Sequence, residues 1–94
     1  MGESSLQAYF IKKVKEEGGL AFKVDCTSQR GFPDLIVSTD WGLKLVEMKA
    51  ENGRLSIHQK RLHNVLAEHG LEVTVLDSHE SVDKWIRDYF YNPY

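Results

Sequence analysis

The sequence predicts an α/β fold in which a mixed sheet is flanked by helices, in the order αβββαβα. Three observations carry that expectation. Apolar residues recur at helical spacing near both ends of the chain and again after residue 56. Short apolar runs of strand length lie between these segments, bounded by Gly, Pro, Asn or Asp. The second and third runs are joined by a hairpin-length turn, whereas the third and fourth are separated by a whole helical segment, long enough for a right-handed crossover between parallel strands.

Taken in order, Ser4 or Ser5 is placed to cap a first helix running to Gly18-Gly19, with Leu6, Tyr9, Phe10 and Val14 at core-facing spacing. The glycine pair ends it. From Leu20 to Cys26, Leu20, Phe22, Val24 and Cys26 alternate with Ala21, Lys23 and Asp25, the pattern of a half-buried strand. Thr27 to Phe32 is a polar loop, and Pro33 suits a strand start, where its missing N–H does least harm. Leu35 to Ser38 and Leu43 to Lys49 are two further strands joined around Asp40-Trp41-Gly42. After a turn at Asn52-Gly53, Ser56 precedes a helical pattern with Leu55, Leu62, Val65 and Leu66 apolar, ending at Gly70 as a C′ residue. Leu71 to Leu76 is a short fourth strand. A last helix starts after Asp77-Ser78 and carries Val82, Trp85, Ile86, Tyr89 and Phe90 on one broad face.

A chain of 94 residues supports one small core, so residues 1–94 read as a single domain. Hydrophobic residues at 41% and charged residues at 28% describe a soluble globular protein rather than a disordered or membrane-spanning one. No apolar stretch approaches the roughly 20 residues that cross a bilayer. The start Met1-Gly2-Glu3-Ser4 shows no secretory apolar region, which makes an intracellular protein the expectation. Cys26 is the only cysteine, which leaves no internal disulfide and no zinc-ligand pattern. The four histidines, His58, His63, His69 and His79, share no metal-ligand spacing; His58 lies near the candidate site and the others are expected at the surface. No GxxxxGK[ST] phosphate loop and no nucleophilic Ser/His or Cys/His arrangement is present. Lys+Arg 12 against Asp+Glu 14 does not announce a nucleic-acid binder. Distribution matters more than the sum, because Arg30, Lys44, Lys49, Arg54, Lys60 and Arg61 cluster around the segment with the most chemistry.

That segment begins at Pro33-Asp34, which opens the second strand, and continues at Glu47 and Lys49 in the third. In a strand, residues i and i+2 share a face, so Glu47 and Lys49 project together while Met48 faces the core. Oxygen ligands from Asp34, Glu47 and the Met48 backbone carbonyl suit a hard divalent cation. Each residue also has a plainer reading: Asp34 as a turn residue, Glu47 as a solvent-facing strand residue, Lys49 as a surface lysine. An exposed Lys49 pair would contribute only about 0–1 kcal/mol, so stability accounts for it poorly. Ser28, Arg30 and Arg54 flank the two strands and are candidate phosphate contacts, or simply soluble loop residues. Ser56-x-x-Gln59 reads as a capping box, and Glu3 as an acid favoured at a helix N-terminus.

The segments Gly31-Phe32-Pro33-Asp34, Val46-Glu47-Met48-Lys49 and Ser56-Ile57-His58-Gln59, set on an αβββαβα order, resemble the VRR-NUC branch of the PD-(D/E)xK nucleases. The resemblance implies a restriction-endonuclease-like core and a DNA endonuclease dependent on Mg2+, with Mn2+ substituting. It implies that Asp34 and Glu47 ligate the metal, that Lys49 acts beside them, that Gln59 faces the active site and that Glu3 completes it. Minimal bacterial and phage members are similar to homodimeric Holliday-junction resolvases, which makes a four-way DNA junction the expected partner and a bacterial or phage-infected cell the expected setting. Trp85, Tyr89, Phe90, Tyr91 and Tyr94 exceed what one helix face needs for a small core, so part of this aromatic end is expected at a dimer interface. A flap or general duplex nuclease, a non-catalytic DNA-binding module and a small protein-interaction domain remain the alternatives.

Overall fold

A computed structural model describes residues 2–91. Its elements are α1 (Glu3–Glu16), β1 (Leu20–Lys23), β2 (Leu35–Thr39), β3 (Gly42–Met48), α2 (Ile57–Glu68), β4 (Val73–Leu76) and α3 (His79–Ile86), the last continuing as a π-helical stretch, Arg87–Tyr91. This is the αβββαβα order. The sheet runs β1-β2-β3-β4. Its first two pairs are antiparallel, and β3 pairs with β4 in parallel through the α2 crossover.

The core lies on one face of this sheet. Leu35 and Val37 of β2, Val46 and Met48 of β3 and Leu76 of β4 pack against Leu6, Phe10 and Val14 of α1 and Val82, Trp85 and Ile86 of α3. Trp85 meets Phe10 edge-on with ring centroids 5.2 Å apart. Phe10 is fully buried, and its truncation to alanine is worth about 3–5 kcal/mol on the usual scale for core aromatics. Tyr89 and Phe90 are half-buried against the same cluster. The π-helical stretch folds Tyr89 and Phe90 back over Trp85, so these three pack against the core, while the side chain of Tyr91 lies outside what is described. Tyr94 lies outside the described residues.

The opposite face is covered only in part. α2 lies across it near β4, and none of its residues is buried. The coverage decides which side of half-buried β1 faces the core. Ala21 packs toward the core, while Leu20 and Phe22 remain 56% and 52% exposed on the face that α2 does not reach. Alternation alone shows that a strand has two faces but does not say which of them a helix will cover.

The helix boundaries follow local chemistry. Ser4 and Ser5 lie inside the first turn of α1, whose N-cap is Gly2 without a side-chain bond. At the other ends of α1 and α2, Gly18 and Gly70 adopt φ values of +84° and +86°. Each donates its N–H to the carbonyl three residues back, and the next residue bonds five back, Gly19 to Val14 and Leu71 to Leu66. These are paired Schellman bonds that satisfy otherwise orphaned carbonyls. β1 and β4 are shorter than the apolar runs that announced them: residues 25–26 and 71–72 are connections, and Val24 keeps one bond from its N–H to the Asp34 carbonyl at 2.8 Å.

Candidate active site

The site is built where β2 begins and β3 ends. Leu35 opposes Val46 in the antiparallel register, so continuing one step sets Asp34 across from Glu47. Directly opposed residues share a face, and this pair lies on the α2 face. Asp34 Oδ2 accepts the Met48 N–H at 2.9 Å. That bond extends the pairing past the last ladder residues and fixes the Asp34 carboxylate. The N–H and C=O of one strand residue leave the backbone on the same edge, so the Met48 carbonyl is directed toward the same cleft. The first turn of α1 supplies Glu3: carboxylate oxygens of Glu3, Asp34 and Glu47 all lie within 4.8 Å of one another. Glu3 is exposed, Asp34 half-buried and Glu47 completely buried.

α2 supplies the other wall. Ser56 caps it, accepting the Gln59 N–H at 3.1 Å, while Gln59 Oε1 accepts the Ser56 N–H at 2.8 Å. The amide nitrogen of the same side chain, Gln59 Nε2, donates to Glu47 Oε2 at 3.3 Å. Gln59 thus closes a capping box with one end and faces the acidic cluster with the other. One helical turn later, His63 Nε2 lies 3.6 Å from Glu47 Oε1. Sequence reasoning put His63 at the surface, yet its side chain is only 12% exposed. Residues at i and i+4 share a helix face, so placing Gln59 against the site carries His63 with it.

Burial raises the Glu47 carboxyl pKa to about 8, with the nearby Asp34 adding to the shift, Lys49 opposing it and Glu3 contributing least. Burial, followed by the Lys49 charge, holds the His63 imidazole below its ordinary value. Both groups are therefore neutral in this state at pH 7, and their contact is polar rather than an ion pair. Neither Glu47 Oε1 nor His63 Nε2 has a hydrogen-bond partner. The donor set fits a hard divalent cation. It consists of oxygens only, it crowds carboxylates that resist ionising together, and one buried oxygen lacks any partner.

Loop geometry holds the two walls together. Gly31 has φ +86°, and a Cβ there would stand 2.6 Å from the His58 carbonyl oxygen and 2.9 Å from the Gln59 nitrogen. The backbone leading to Asp34 therefore rests directly on the first turn of α2, an approach only glycine permits. Lys49 follows β3, is half-buried and donates its backbone N–H to Leu76 at 2.9 Å. Ser28, Arg30 and Arg54 are exposed on the loops before β2 and before α2. Ser28 Oγ lies 3.5 Å from Cys26 Sγ. His58 is half-buried in the first turn of α2, while His69 and His79 are exposed, His79 stacking on Tyr9 with centroids 4.2 Å apart.

Comparison with known proteins places the chain in a family. The VRR-NUC domain model matches residues 26–80, from the loop before β2 to the start of α3. A protein named "Putative nuclease p44", from Acyrthosiphon pisum secondary endosymbiont phage 1, is 34% identical over 79 residues, covering 83% of this chain and 85% of the phage protein. A solved structure described as a VRR_NUC domain superposes with a TM-score of 0.82 at 34% identity, covering 94% of this chain and 97% of its own. No helix among the described residues is long and apolar enough to cross a membrane. Matched by the family model over more than half its length, and similar to the phage protein and the solved domain over most of it, this chain belongs to the VRR-NUC family of nuclease domains.

Proposed function

We propose that the chain is a Mg2+-dependent DNA endonuclease of the PD-(D/E)xK type, folded as one domain, that acts as a homodimer on four-way junctions. The observation that carries the chemistry is the convergence of the Glu3, Asp34 and Glu47 carboxylates at the open end of β2 and β3. Asp34, Glu47 and the Met48 carbonyl hold Mg2+, for which Mn2+ substitutes, and Glu3 completes the oxygen set. When bound, the metal activates water and neutralises the scissile phosphate. Asp34 keeps its orientation through the Met48 N–H, and Gln59 holds Glu47 from α2. Lys49 places an ammonium beside the phosphate and stabilises the negative charge that builds on it. Arg30, Ser28 and Arg54 hold flanking phosphates from the exposed loops, so that affinity falls with salt.

The dimer reading draws on a different surface from the aromatic end. Leu20 and Leu43 share one row across the uncovered face, and Phe22 lies in the next row beside Ile36. Leu43 is 69% exposed. Exposed apolar side chains on and near an edge strand favour association of two copies, and a two-fold axis would present two sites to opposite strands.

The testing experiment is cleavage of an end-labelled four-way junction beside a linear duplex of the same arm sequence, with Mg2+, Mn2+ or chelator. Paired symmetric nicks in the junction alone are expected. Cleavage of both substrates would remove junction specificity while retaining the nuclease. Absence of cleavage with either metal would refute the enzymatic reading in favour of a binding module.

A further inference from the structure

We propose that His63 is a positioning residue for the metal-binding carboxylate: with Gln59, one helical turn before it, it grips the two oxygens of Glu47 from a single face of α2. The inference rests on the reading of Glu47 as a metal ligand. A carboxylate offers about four lone-pair directions over its two oxygens. In Glu47, Oε2 accepts the Gln59 amide at 3.3 Å, whereas Oε1 is buried with no partner. His63 Nε2 is 3.6 Å away and equally without one. At that separation the two atoms do not form a hydrogen bond. Each partnerless buried polar atom is nonetheless costly, and a shift of well under 1 Å would join them as N–H to oxygen.

The cation supplies the occasion for that shift. A metal-bound Glu47 is ionised and accepts hydrogen bonds only, and an N–H donated to an ionised oxygen is shorter and stronger than one to a neutral acid. The imidazole then carries its proton on Nε2. Gln59 and His63 together set the plane of the carboxylate and leave its remaining lone pairs to the side where Asp34 and Glu3 converge. Residues that orient metal ligands in this way typically change metal affinity by about 10–100-fold when lost. α2 is well suited to the task. It has no buried residue of its own, so its register against β3 is set at this end by the Ser56 cap, the Gly31 contact and the grip on Glu47.

The test is Mn2+ binding by titration calorimetry without DNA, with urea unfolding of each metal-free variant. His63→Leu removes the donor and is expected to lose about 10–100-fold in Mn2+ affinity. His63→Gln, whose amide nitrogen reaches about as far as Nε2, is expected to stay within several-fold of wild type. His63→Phe keeps the ring volume without a donor and serves if the leucine variant unfolds; it is expected to behave like leucine. Equal losses in the glutamine and leucine variants would overturn the proposal in favour of ring packing. Wild-type affinity in the folded leucine or phenylalanine variant would also overturn it, and if Glu47→Ala then loses Mn2+, the metal site itself still stands. Equal Mn2+ binding by wild type and Glu47→Ala would overturn both.

Discussion

Replacing Glu47 by glutamine should make the metal-free protein more stable while removing its response to metal. Glu47 is completely buried, and its pKa is raised from 4.5 to about 8. Its folded-state value therefore lies above its unfolded one. As pH rises past about 4.5 the unfolded chain releases this proton while the folded chain keeps it, so stability falls until pH passes the folded value and then levels off. Each pH unit in that window removes up to about 1.4 kcal/mol, which makes the loss on the order of 3 kcal/mol by about pH 7. Glutamine has the same shape and nothing to titrate, so it escapes this loss. The assay is urea unfolding of both proteins in chelator at several values between about pH 5 and pH 8. Titrating groups that do not touch Glu47 are common to the two chains and cancel in the difference. The stability gap should widen with pH in favour of Glu47→Gln. Saturating Mg2+ should raise only the wild type, since a ligand stabilises the state that binds it. Parallel pH curves for the two proteins would refute the reasoning, because they would mean that Glu47 ionises as freely in the fold as in the unfolded chain.

Three further perturbations probe the remaining parts. Asp34→Ala should abolish metal-dependent cleavage and, by orphaning the Met48 N–H, cost about 1–3 kcal/mol in urea unfolding; wild-type turnover at equal stability would remove Asp34 from the site. Gly31→Ala forces a side chain to φ +86° and against the His58 carbonyl, so a loss of at least about 1–2 kcal/mol is expected, with weaker Mn2+ binding as α2 moves away; an unchanged unfolding midpoint would contradict the close approach. Leu20→Lys with Phe22→Lys should convert a dimer to a monomer by sedimentation with little change in thermal unfolding of the monomer, because both side chains are already exposed; an unaltered dimer mass would move the interface elsewhere.

Much of this protein was legible before folding was considered. Asp34, Glu47 and Lys49 could be placed together because strand periodicity and a short hairpin leave little freedom in register. The Ser56 and Gln59 pair was legible as a capping box, and only the folded structure added that the same amide reaches Glu47. His63 was missed because its own neighbours carry no mark of burial; the signal lay in its spacing of four from Gln59, which puts both on one helix face. Which face of β1 is covered was not legible in the alternation. Leu20 and Phe22 are the larger apolar residues, but the helices cover the side that carries Ala21.

The amino-acid sequence by itself determined the element order, the turn between β2 and β3, the glycine-ended C-termini of α1 and α2 and the pairing of Asp34 with Glu47, all of which depend on neighbours within a few positions or on strand register. Tertiary structure decided what depends on distant segments meeting. It brought Glu3 from the first turn of α1 to carboxylates more than thirty positions away. It buried Glu47 completely and so raised its proton affinity. It also left Leu20, Phe22 and Leu43 uncovered. Burial and electrostatic crowding arise only when separate elements exclude water from the same place, and no local pattern records which elements those will be.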